Sequence, residues 1–441
     1  MKLSEIAKVL EIPCEAEQEI AGVGIDSRMA MPQQMFVALK GEHVDGHDYV
    51  LQAIEHGAVA ILAERDLVVT VPVLVVDNAQ AALTKIACHH RQTLNLKVLA
   101  LTGSNGKTTV KDMLGCIFQE HAFVSKGNFN NQLGVPINLM ALNETHHYAV
   151  FELGANHVGD IQETARMVKP DIALINNIGP AHLGKFGSIE QVAKAKGEIY
   201  EQLSSSGIAI VNDDDFYAHY WDDLFPHLEV LRFSSQHPAD VWASDIQEHH
   251  ASCYQFKLYF GSQTQEIILS VPGRHQVQNA LAAASMALAA GLSLLQIQKG
   301  LASFSGVKGR LNFKKGLHGC VVIDDTYNAN LASFRAGIQL LTSQLGTKIL
   351  VMGDIAELEH YAQSQHQELG VMAKELGVDY LLGLGPHSLY AVQSFGEGAM
   401  HFAEASQLIE TLKMHLNADA TVLVKGSRSS KMENIVQEIV V

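Results

Sequence analysis

Short apolar runs alternate with helical patterns from about residue 150 onward, and this alternation predicts parallel sheets with crossover helices. A polar residue follows nearly every run. Since ligands of open α/β sheets bind at the carboxyl ends of the strands, the ends of these runs are where we search for a site. The runs are residues 149–151, 172–175, 208–211, 321–323, 349–352, 380–382 and 422–424.

One strand-to-helix connection carries a phosphate-binding pattern. Residues 98–102 predict a buried strand, residues 103–106 a tight turn, and the residues from Lys107 an amphipathic helix. The N–H groups of such a turn and the positive end of the helix dipole surround one point, which favours a phosphate. Lys107 would reach the outer phosphates, and Thr108 would face Mg²⁺. The pattern is shorter than G-x-x-x-x-G-K-[ST], because Leu101 stands at the position of the first glycine.

Polar side chains beyond two predicted strands indicate a divalent metal site. Glu152 ends the strand of A-V-F-E, and His182 lies in the loop N-N-I-G-P-A-H. A carboxylate and an imidazole near phosphates, with Thr108 as a third ligand, suit a divalent cation. Taken singly, Glu152 is also consistent with a solvated strand end, and His182 with a hydrogen-bonded structural residue.

The region after residue 187 predicts two further helices. Ser188, at S-x-x-Q spacing from Gln191, predicts an N-cap, and the helix after it carries Lys194 and Lys196, which the residues alone place on the surface. Further on, a G-R-H turn leads into an Ala-rich helix with Asn279 in its first turns. That amide could recognise an adenine edge or cap the helix.

Two polar clusters lie beyond predicted strands in the last third of the chain. They are D-D-T-Y-N-A-N at 324–330 and K-G-S-R-S at 425–429. Together they predict a second ligand-facing edge, opposite the phosphate loop. The alternative is an Asx-rich turn and a solvated basic loop. We interpret the acidic N-D-D-D at 212–215 as a solvated turn.

Composition restricts the class of protein. With 441 residues, 47% hydrophobic and 18% charged, the chain is folded and too long for one core, and about three domains are expected. Its 31 basic and 47 acidic side chains give a net charge of −16, which disfavours nucleic acid or an anionic membrane as the main partner. Five scattered cysteines favour neither a disulfide framework nor a zinc site. The Ala-rich stretch 280–295 is too short for a membrane span, so we expect a buried helix and a cytoplasmic protein.

Eight motifs, in their order and spacing, resemble the Mur ligase family along the whole chain. The resemblance implies an α/β enzyme with three domains: an α/β UDP-sugar-binding domain at 1–80, a central P-loop parallel-sheet ATPase domain at 81–309, and a Rossmann-like carboxy-terminal domain at 310–441. The motifs are T-G-S-N-G-K-T-T at 102–109, G-N-F-N-N at 127–131, E-L-G-A-N-H at 152–157, A-K-A-K-G-E-I at 193–199, G-R-H at 273–275 with Asn279, G-R-L at 309–311, D-D-T-Y-N-A-N at 324–330 and K-G-S-R-S at 425–429.

Within the family, the resemblance implies ATP-dependent addition of D-alanyl-D-alanine to UDP-N-acetylmuramoyl-tripeptide through an acyl phosphate, as in peptidoglycan synthesis. The implied cofactors are ATP and two Mg²⁺ ions. The implied partners are these two small molecules, with no nucleic acid and no membrane insertion, and the protein is expected to be a monomer in the cytoplasm. A related ligase that adds diaminopimelate carries a D-N-P-R motif, which this sequence lacks.

The resemblance also implies roles for single residues. Lys196 matches a lysine that is carbamylated in related ligases, where it supports the second Mg²⁺, and this implication replaces the surface role. The implied catalytic residues are Lys107, Lys196 and His182, and the implied metal ligands are Thr108, Glu152, His182 and Lys196. The implied nucleotide-binding residues are Gly103, Ser104, Asn105, Gly106, Lys107, Thr108, Thr109, Asn279, Arg310 and Asp325. The implied substrate-binding residues are Ser27, Arg28, Lys40, Gly41, Asn128, Asn130, Asn328, Asn330, Lys425, Ser427 and Arg428.

Two positions depart from the family pattern, and two alternatives compete with it. Leu331 stands where proline is frequent, and Glu359 where glycine is common. Folylpolyglutamate synthase shares the P-loop but would not need residues 1–80. A regulator that binds nucleotide without ligase chemistry would not need Glu152, His182 and Lys196.

Overall fold

The computed structural model describes residues 1–29, 31–180, 183–250 and 252–441, and these residues form three sheets. The first sheet has four parallel strands in the order β1-β2-β3-β4. Residues 68–76 are mostly apolar, and of these only Val73–Val75 forms a strand. The elements of this amino-terminal unit are α1 (Leu3–Leu10), β1 (Gly22–Gly24), β2 (Gln34–Val37), α2 (Val50–Glu55), β3 (Ala58–Ala63) and β4 (Val73–Val75), with a 3-10 helix at Gly46–Tyr49.

The second sheet has nine strands in the order β13-β12-β11-β10-β9-β8-β5-β7-β6. The central unit built on it contains the elements α3 (Ala79–Thr93), β5 (Lys97–Thr102), α4 (Lys107–Phe118), β6 (Ala122–Val124), α5 (Gly134–Leu139), β7 (Tyr148–Glu152), α6 (Asp160–Val168), β8 (Ile172–Ile175), α7 (Leu183–Phe186), α8 (Ile189–Glu201), β9 (Ile208–Asn212), β10 (Glu229–Ser234), β11 (Val241–Glu248), β12 (Cys253–Phe260), β13 (Gln263–Pro272), α9 (His275–Ala289) and α10 (Leu294–Ser303), with a 3-10 helix at Gln119–His121.

The sequence predicted a parallel central sheet, but only part of this sheet is parallel. The seven strands β5 to β11 pair in parallel, whereas β12 pairs antiparallel with both β11 and β13. The reason is a tight turn: Phe260 pairs with Gln263 across two residues, and Gly261 has a φ of 55°. A two-residue loop can join only antiparallel strands, and a positive φ favours glycine.

The third sheet has six strands in the order β14-β15-β19-β16-β17-β18, all parallel except the β14–β15 pair. The carboxy-terminal unit built on it contains β14 (Asn312–Lys315), β15 (Val321–Asp325), α11 (Leu331–Thr342), β16 (Thr347–Gly353), α12 (Ala362–Glu375), β17 (Tyr380–Leu384), α13 (Ser388–Phe395), β18 (Ala399–Phe402), α14 (Ala405–His415), β19 (Ala420–Lys425) and α15 (Glu433–Ile439), with 3-10 helices at Leu317–Gly319, Glu359–Tyr361 and Arg428–Ser430.

Helices cover both faces of the central sheet. Helices α4, α9 and α10 pack on one face, and α9 is buried almost all round, as its alanine-rich sequence predicted. The apolar residues of the other face share one core with those of α1 and α3. These features confirm the α/β class. In the part of the chain that the structure describes, no helix combines the length and apolarity that a bilayer crossing requires.

Candidate active site

A cavity of about 660 Å³ lies between the central and carboxy-terminal units. One wall is the P-loop, residues 103–108, and the opposite wall carries the polar residues that follow β15 and β19. The two polar edges expected from the sequence therefore face each other. The expected site residues that line the cavity are Ser104, Asn105, Gly106, Lys107, Thr109, Asn279, Arg310, Asp325, Asn328, Asn330, Lys425, Ser427 and Arg428.

Glycine is required where the P-loop turns into α4. Gly106 is the N-cap of α4 with a φ of 79°, a region that side chains rarely adopt. A Cβ atom there would collide with the side chains of Asn279 and Asn176. The buried strand β5 delivers the chain to this point, and α4 directs its free N–H groups at the cavity. The geometry suits a phosphate group.

Lys107 is folded back onto its own loop. Its Nζ donates a hydrogen bond to the carbonyl oxygen of Gly103 at 2.7 Å. Burial lowers the pKa of Lys107, and Glu152 opposes that shift, while Arg310 adds to it. Two cations that share a confined space are stabilised by a polyanion, so this charge arrangement favours the phosphates of a nucleotide.

Thr108, Glu152 and Asn130 form a compact group of oxygen and amide ligands beside the P-loop. The Thr108 hydroxyl donates to Glu152 Oε2 at 2.9 Å, and Asn130 Nδ2 donates to Glu152 Oε1 at 3.0 Å. Glu152 is buried, whereas Asn128 on the same loop is exposed. One carboxylate and one hydroxyl next to a phosphate site are donors that fit Mg²⁺, which commonly takes its remaining ligands from water and substrate phosphates.

His182 and Lys196 are the other two expected metal ligands. His182 lies outside the described residues. Among the residues that the structure does describe, no cluster of three or more His, Cys, Asp and Glu side chains could hold a metal ion. The donor set at Thr108 and Glu152 therefore fits an ion that also binds substrate oxygens, and not a cage made of protein alone.

Lys196 is not a surface residue, although the residues alone suggested one. It lies on α8, which begins after the N-cap Ser188, and only 3% of it is exposed, whereas Lys194 is exposed. Burial holds the pKa of Lys196 well below its usual range, and the charge of Lys107 lowers it further. The charges of Lys196 and Lys107 therefore repel each other.

Arg310 connects the two walls of the cleft. Its guanidinium lies 4.5 Å from the centroid of the Tyr327 ring, and one terminal nitrogen donates to Thr108 Oγ1 at 3.1 Å. The Nε atom of Arg310 is buried without a hydrogen-bond partner. A planar cation with an unused donor at this place is suited to bind a phosphate oxygen.

The cluster after β15 and β19 is ordered by a buried ion pair. Lys425 Nζ lies 2.6 Å from Asp325 Oδ2 and also donates to the carbonyl oxygen of Asn328 at 2.9 Å. Burial lowers the pKa of Lys425, and Asp325 opposes the shift. Ser427 Oγ accepts a hydrogen bond from the N–H of Ala356 at 2.8 Å. These contacts rule out the solvated basic loop for Lys425 and Ser427, whereas Arg428 is exposed.

Asn279 belongs to an amide network that sequence reasoning missed in part. Its Oδ1 accepts from Asn176 Nδ2 at 3.1 Å, and its Nδ2 donates to Gln276, so it is not a helix cap. Asn176 and Asn177 both hold the backbone of Asn105. The sequence did place Asn176 and Asn177 directly after the predicted strand at 172–175, where a polar residue was noted as typical of a strand end. It did not indicate that these amides hold the P-loop. His275, which also lines the cavity, was noticed only as part of a motif.

The remaining expected substrate residues lie in the amino-terminal unit and do not line this cavity. Ser27 is buried and donates to Gln52 at 2.7 Å. Arg28 is exposed and pairs with Asp26 through two hydrogen bonds, which lower the pKa of Asp26 to about 2. Lys40 and Gly41 form a turn, closed by the Gly41 N–H on the carbonyl oxygen of Val44.

Residues 213 and 214 form a turn, as predicted, but the prediction that this turn is solvated was wrong. Asp214 accepts hydrogen bonds from Ser234 and Ser235, and its side chain is 1% exposed. Asp215 accepts from the N–H of Ile178 at 2.8 Å. A row of acidic residues indicates solvent exposure only when neighbouring segments offer no donors, and here the loop after β8 and the end of β10 offer several.

The comparisons with known proteins agree with this geometry. The family models described as Mur ligase family, catalytic domain, Mur ligase middle domain, and Mur ligase, glutamate ligase domain match residues 19–99, 101–287 and 309–428. The Escherichia coli (strain K12) UDP-N-acetylmuramoyl-tripeptide--D-alanyl-D-alanine ligase is 38% identical over 99% of this chain and 98% of its own length.

Two solved structures extend the similarity to the fold. The crystal structure of MurF from Acinetobacter baumannii is 36% identical and superposes with a TM-score of 0.91, covering 99% of this chain and 98% of that one. The MurF ligase from Thermotoga maritima in complex with ADP is 25% identical with a TM-score of 0.82, covering 95% and 96%. Since matches of this identity extend over nearly the whole chain and all three family models fit it, the chain belongs to the Mur ligase family.

Proposed function

We propose that the protein is an ATP-dependent, ADP-forming ligase that joins D-alanyl-D-alanine to UDP-N-acetylmuramoyl-tripeptide and so completes the pentapeptide precursor of peptidoglycan. The observation that supports this most strongly is the cavity of about 660 Å³, with a P-loop on one wall and the Asp325–Lys425 cluster on the other. A ligase needs this arrangement, because the phosphate donor and the incoming amine must meet at one carboxylate.

The reaction needs ATP because a free carboxylate is a poor electrophile. The carboxylate oxygen of the tripeptide attacks the γ-phosphorus, the bond to the β-phosphate oxygen breaks, and ADP leaves. The neutral amine of D-alanyl-D-alanine then attacks the carbonyl carbon of the acyl phosphate, phosphate leaves with the oxygen that had bridged, and the nitrogen gives up one proton and keeps one hydrogen in the amide. The protein contributes positioning and charge neutralisation around the transferring group.

We propose that Lys107 and Arg310 neutralise the transferring phosphoryl group. Both cations face the P-loop, and both have a hydrogen-bonding position that a phosphate oxygen can take: Lys107 now donates to a loop carbonyl, and Arg310 has an unpartnered Nε. Arg310 approaches from the linker that leads into the carboxy-terminal unit, so its position depends on how the two units are arranged.

We propose that Thr108 and Glu152 bind Mg²⁺ and that Asn130 orients the Glu152 carboxylate. When bound, Mg²⁺ neutralises phosphate charge and links the phosphate oxygens to the protein. Asn130 occupies one oxygen of Glu152 and leaves Oε2 shared with the Thr108 hydroxyl. His182 completes this proposal as an expected ligand.

We propose that Lys196 is carbamylated and that its carbamate supports a second Mg²⁺. The burial of Lys196 on α8, beside an exposed Lys194, supports this assignment. Carbamylation converts a buried cation near Lys107 into an anion, which removes a repulsion. Incubation with ¹³C-labelled bicarbonate should give one carbamate NMR signal that disappears in Lys196→Ala and persists in Lys194→Ala. A spectrum without that signal contradicts the assignment.

The organisation of the chain is part of the proposal. We propose a UDP-sugar-binding domain at 1–80 with Ser27, Arg28, Lys40 and Gly41 near the ligand, an ATP-binding domain at 81–309 and a ligase domain at 310–441. The three separate sheets support this division into three domains. Limited proteolysis should cleave first near residue 309, in the linker between α10 and β14.

We further propose that the protein works as a monomer in the cytoplasm, on small molecules and without nucleic acid. The net charge of −16 supports the last point. Light scattering coupled to gel filtration should give a mass near the 48.0 kDa of one chain. A mass twice as large would contradict the monomer.

The test of the activity is phosphate release from Mg²⁺-ATP and UDP-N-acetylmuramoyl-tripeptide, with and without D-alanyl-D-alanine. We expect release that depends on the dipeptide, and a product with the mass of the UDP-pentapeptide. Turnover with a single amino acid or with a folate substrate would leave the family membership intact but contradict the proposed substrate. Nucleotide binding without turnover by any of these would favour a regulator.

A further inference from the structure

The side chain of Asn105, in the middle of the P-loop, contacts the carboxy-terminal unit. Its Oδ1 accepts a hydrogen bond from Asn330 Nδ2 at 2.8 Å. Asn330 belongs to the carboxy-terminal unit, 225 residues further along the chain. The bond therefore joins the loop that would hold phosphate directly to the opposite wall of the cleft.

Asn105 is held rigidly on its own side. Its N–H donates to Asn177 Oδ1 at 2.8 Å, and its carbonyl oxygen accepts from Asn176 Nδ2 at 2.9 Å and from Asn177 Nδ2 at 3.1 Å. Asn176 is buried at the end of β8, so the central sheet fixes the backbone of Asn105. The side-chain oxygen of Asn105 is thus a fixed acceptor at the rim of the loop.

Asn330 is held just as firmly on the other side. It is the N-cap of α11: its Oδ1 accepts from the N–H of Ser333 at 2.8 Å, and its own N–H donates to the Ser333 hydroxyl. The cap uses the oxygen of the Asn330 amide and leaves the nitrogen to reach Asn105. A fixed donor opposite a fixed acceptor loses little conformational freedom when the bond forms.

Among the described residues, one other half-buried hydrogen bond joins the two units, from Gln344 Nε2 to Ser252 Oγ at 3.1 Å, and neither of these residues lines the cavity. The remaining polar contacts are more open to water or depend on the linker. Lys185 and Glu357 pair at 3.2 Å with side chains 30% and 40% exposed, and such pairs contribute little. Arg310, which contacts Thr108, belongs to the linker itself. The Asn105–Asn330 bond is half-buried, and both residues line the cavity.

We propose that Asn105 and Asn330 form a latch, which holds the carboxy-terminal unit closed on the P-loop and places Asn328 and Lys425 opposite the phosphates. In this role both residues are positioning residues: neither needs to touch the reacting atoms. The effect on ligation rests on the proposed function, whereas the effect on closure does not.

The test compares the wild type with Asn330→Ser, Asn105→Ala and the double variant. Serine caps a helix as well as asparagine does but is too short to reach Asn105, so α11 should remain intact. Asn78→Ser is the matched control, because Asn78 caps α3 through the N–H of Ala81, away from the cleft. We expect the control to resemble the wild type in every measurement.

Closure is measured by small-angle scattering with Mg²⁺ and a non-hydrolysable ATP analogue. We expect the wild type and the control to become more compact, and Asn330→Ser and Asn105→Ala to become less so. Equal compaction of all four proteins overturns the latch. This readout needs no ligation, so it tests the latch even if the wild type fails to use D-alanyl-D-alanine.

Turnover and nucleotide binding distinguish a latch from a phosphate ligand. We expect each single variant to lower kcat about tenfold, the value of one hydrogen bond, and the double variant to lower it no further. Since the analogue favours the closed state, the dissociation constant for the ATP analogue should rise by a similar factor in both single variants. Additive losses, or weaker nucleotide binding in Asn105→Ala alone, would show that Asn105 acts on phosphate and would overturn the proposal.

Discussion

Three lysines around the cleft are wholly or partly buried, and the neighbours of each lysine determine whether its charge is already neutralised. Lys107 and Lys196 both have pKa values lowered by burial, yet Lys107 donates to the P-loop itself. Lys425 differs because Asp325 neutralises it. The cations beside the P-loop therefore favour an anionic ligand, and the cation on the opposite wall is already paired.

Lys107→Ala should remove most of the ligase activity and leave the fold intact. The side chain packs on a loop, not in an apolar core, so its loss opens no large cavity, whereas a missing cation at a phosphoryl group costs on the order of a hundredfold or more in kcat. Turnover and the thermal midpoint measure the two effects. Lys194→Ala, on the exposed side of α8, is the control. Near-normal turnover of Lys107→Ala would contradict the role of Lys107.

Glu359→Gly should stabilise the protein by about 0.5 kcal/mol. Glu359 is exposed and has a φ of 46°, a conformation that glycine adopts without strain, and this matches the glycine common in the family at this position. Glu404→Gly is the matched control, since its φ of −119° carries no such strain. Urea unfolding compares the two variants, and a loss of stability in Glu359→Gly would refute the strain argument.

At the scale of elements, the sequence predicted what local patterns determine. The strands beyond residue 150 and the helix after the P-loop were predicted because periodicity and glycine turns fix them. The antiparallel pairing of β11 to β13 was missed, because strand direction depends on which turn joins two strands. The burial of Asp214 and Lys196 was missed for a related reason: it depends on hydrogen-bond donors and packing surfaces that belong to segments distant in the sequence.

Gly300→Ala should destabilise the protein by about 1–3 kcal/mol, because it separates the P-loop helix from its neighbour. Gly300 on α10 lies so close to α4 that a Cβ atom would collide with the backbone of Ile117. Gly115→Ala on α4 is the control, since its Cβ would meet only a Val124 methyl group at 3.2 Å. Denaturant unfolding measures both. Equal stabilities of the two variants would mean that α4 and α10 can move apart freely.

The stability of the protein should depend on pH through His366, a buried residue of α12 that is hydrogen-bonded to the backbone. This side chain is fully buried, its Nε2 accepts from the N–H of Ile355, and Nδ1 donates to the carbonyl oxygen of Ala362, so the folded protein holds it neutral. Burial lowers its pKa. Below about pH 6.5 the unfolded chain takes up a proton that the folded chain does not, so the free energy of unfolding decreases as the pH falls.

His366→Gln should remove this dependence. Between pH 7.5 and 5.5 we expect the wild type to lose about 1 kcal/mol more stability than the variant, measured by urea unfolding at both values. The difference between the two proteins is the readout, because other histidines titrate in both. An identical pH dependence would mean that His366 is not held neutral by the fold.

On the scale of the whole molecule, the architecture separates the groups that must act together. The P-loop belongs to the central sheet and Lys425 to the third sheet, while the expected UDP-sugar residues belong to the first. Activation and ligation therefore depend on the units meeting at the cavity. The resemblance in sequence predicted this organisation, but the contacts across the cleft could be known only from the structure, since no local pattern pairs residues 225 positions apart.

The central claim is that the γ-phosphoryl group is transferred to the tripeptide carboxylate before the amide forms. The most direct test uses UDP-N-acetylmuramoyl-tripeptide with ¹⁸O in its terminal carboxylate, together with Mg²⁺-ATP and D-alanyl-D-alanine. Mass spectrometry of the released phosphate should find one labelled oxygen per phosphate, because the carboxylate oxygen bridges to phosphorus and leaves with it. Unlabelled phosphate, released as the amide product accumulates, would contradict the acyl-phosphate mechanism.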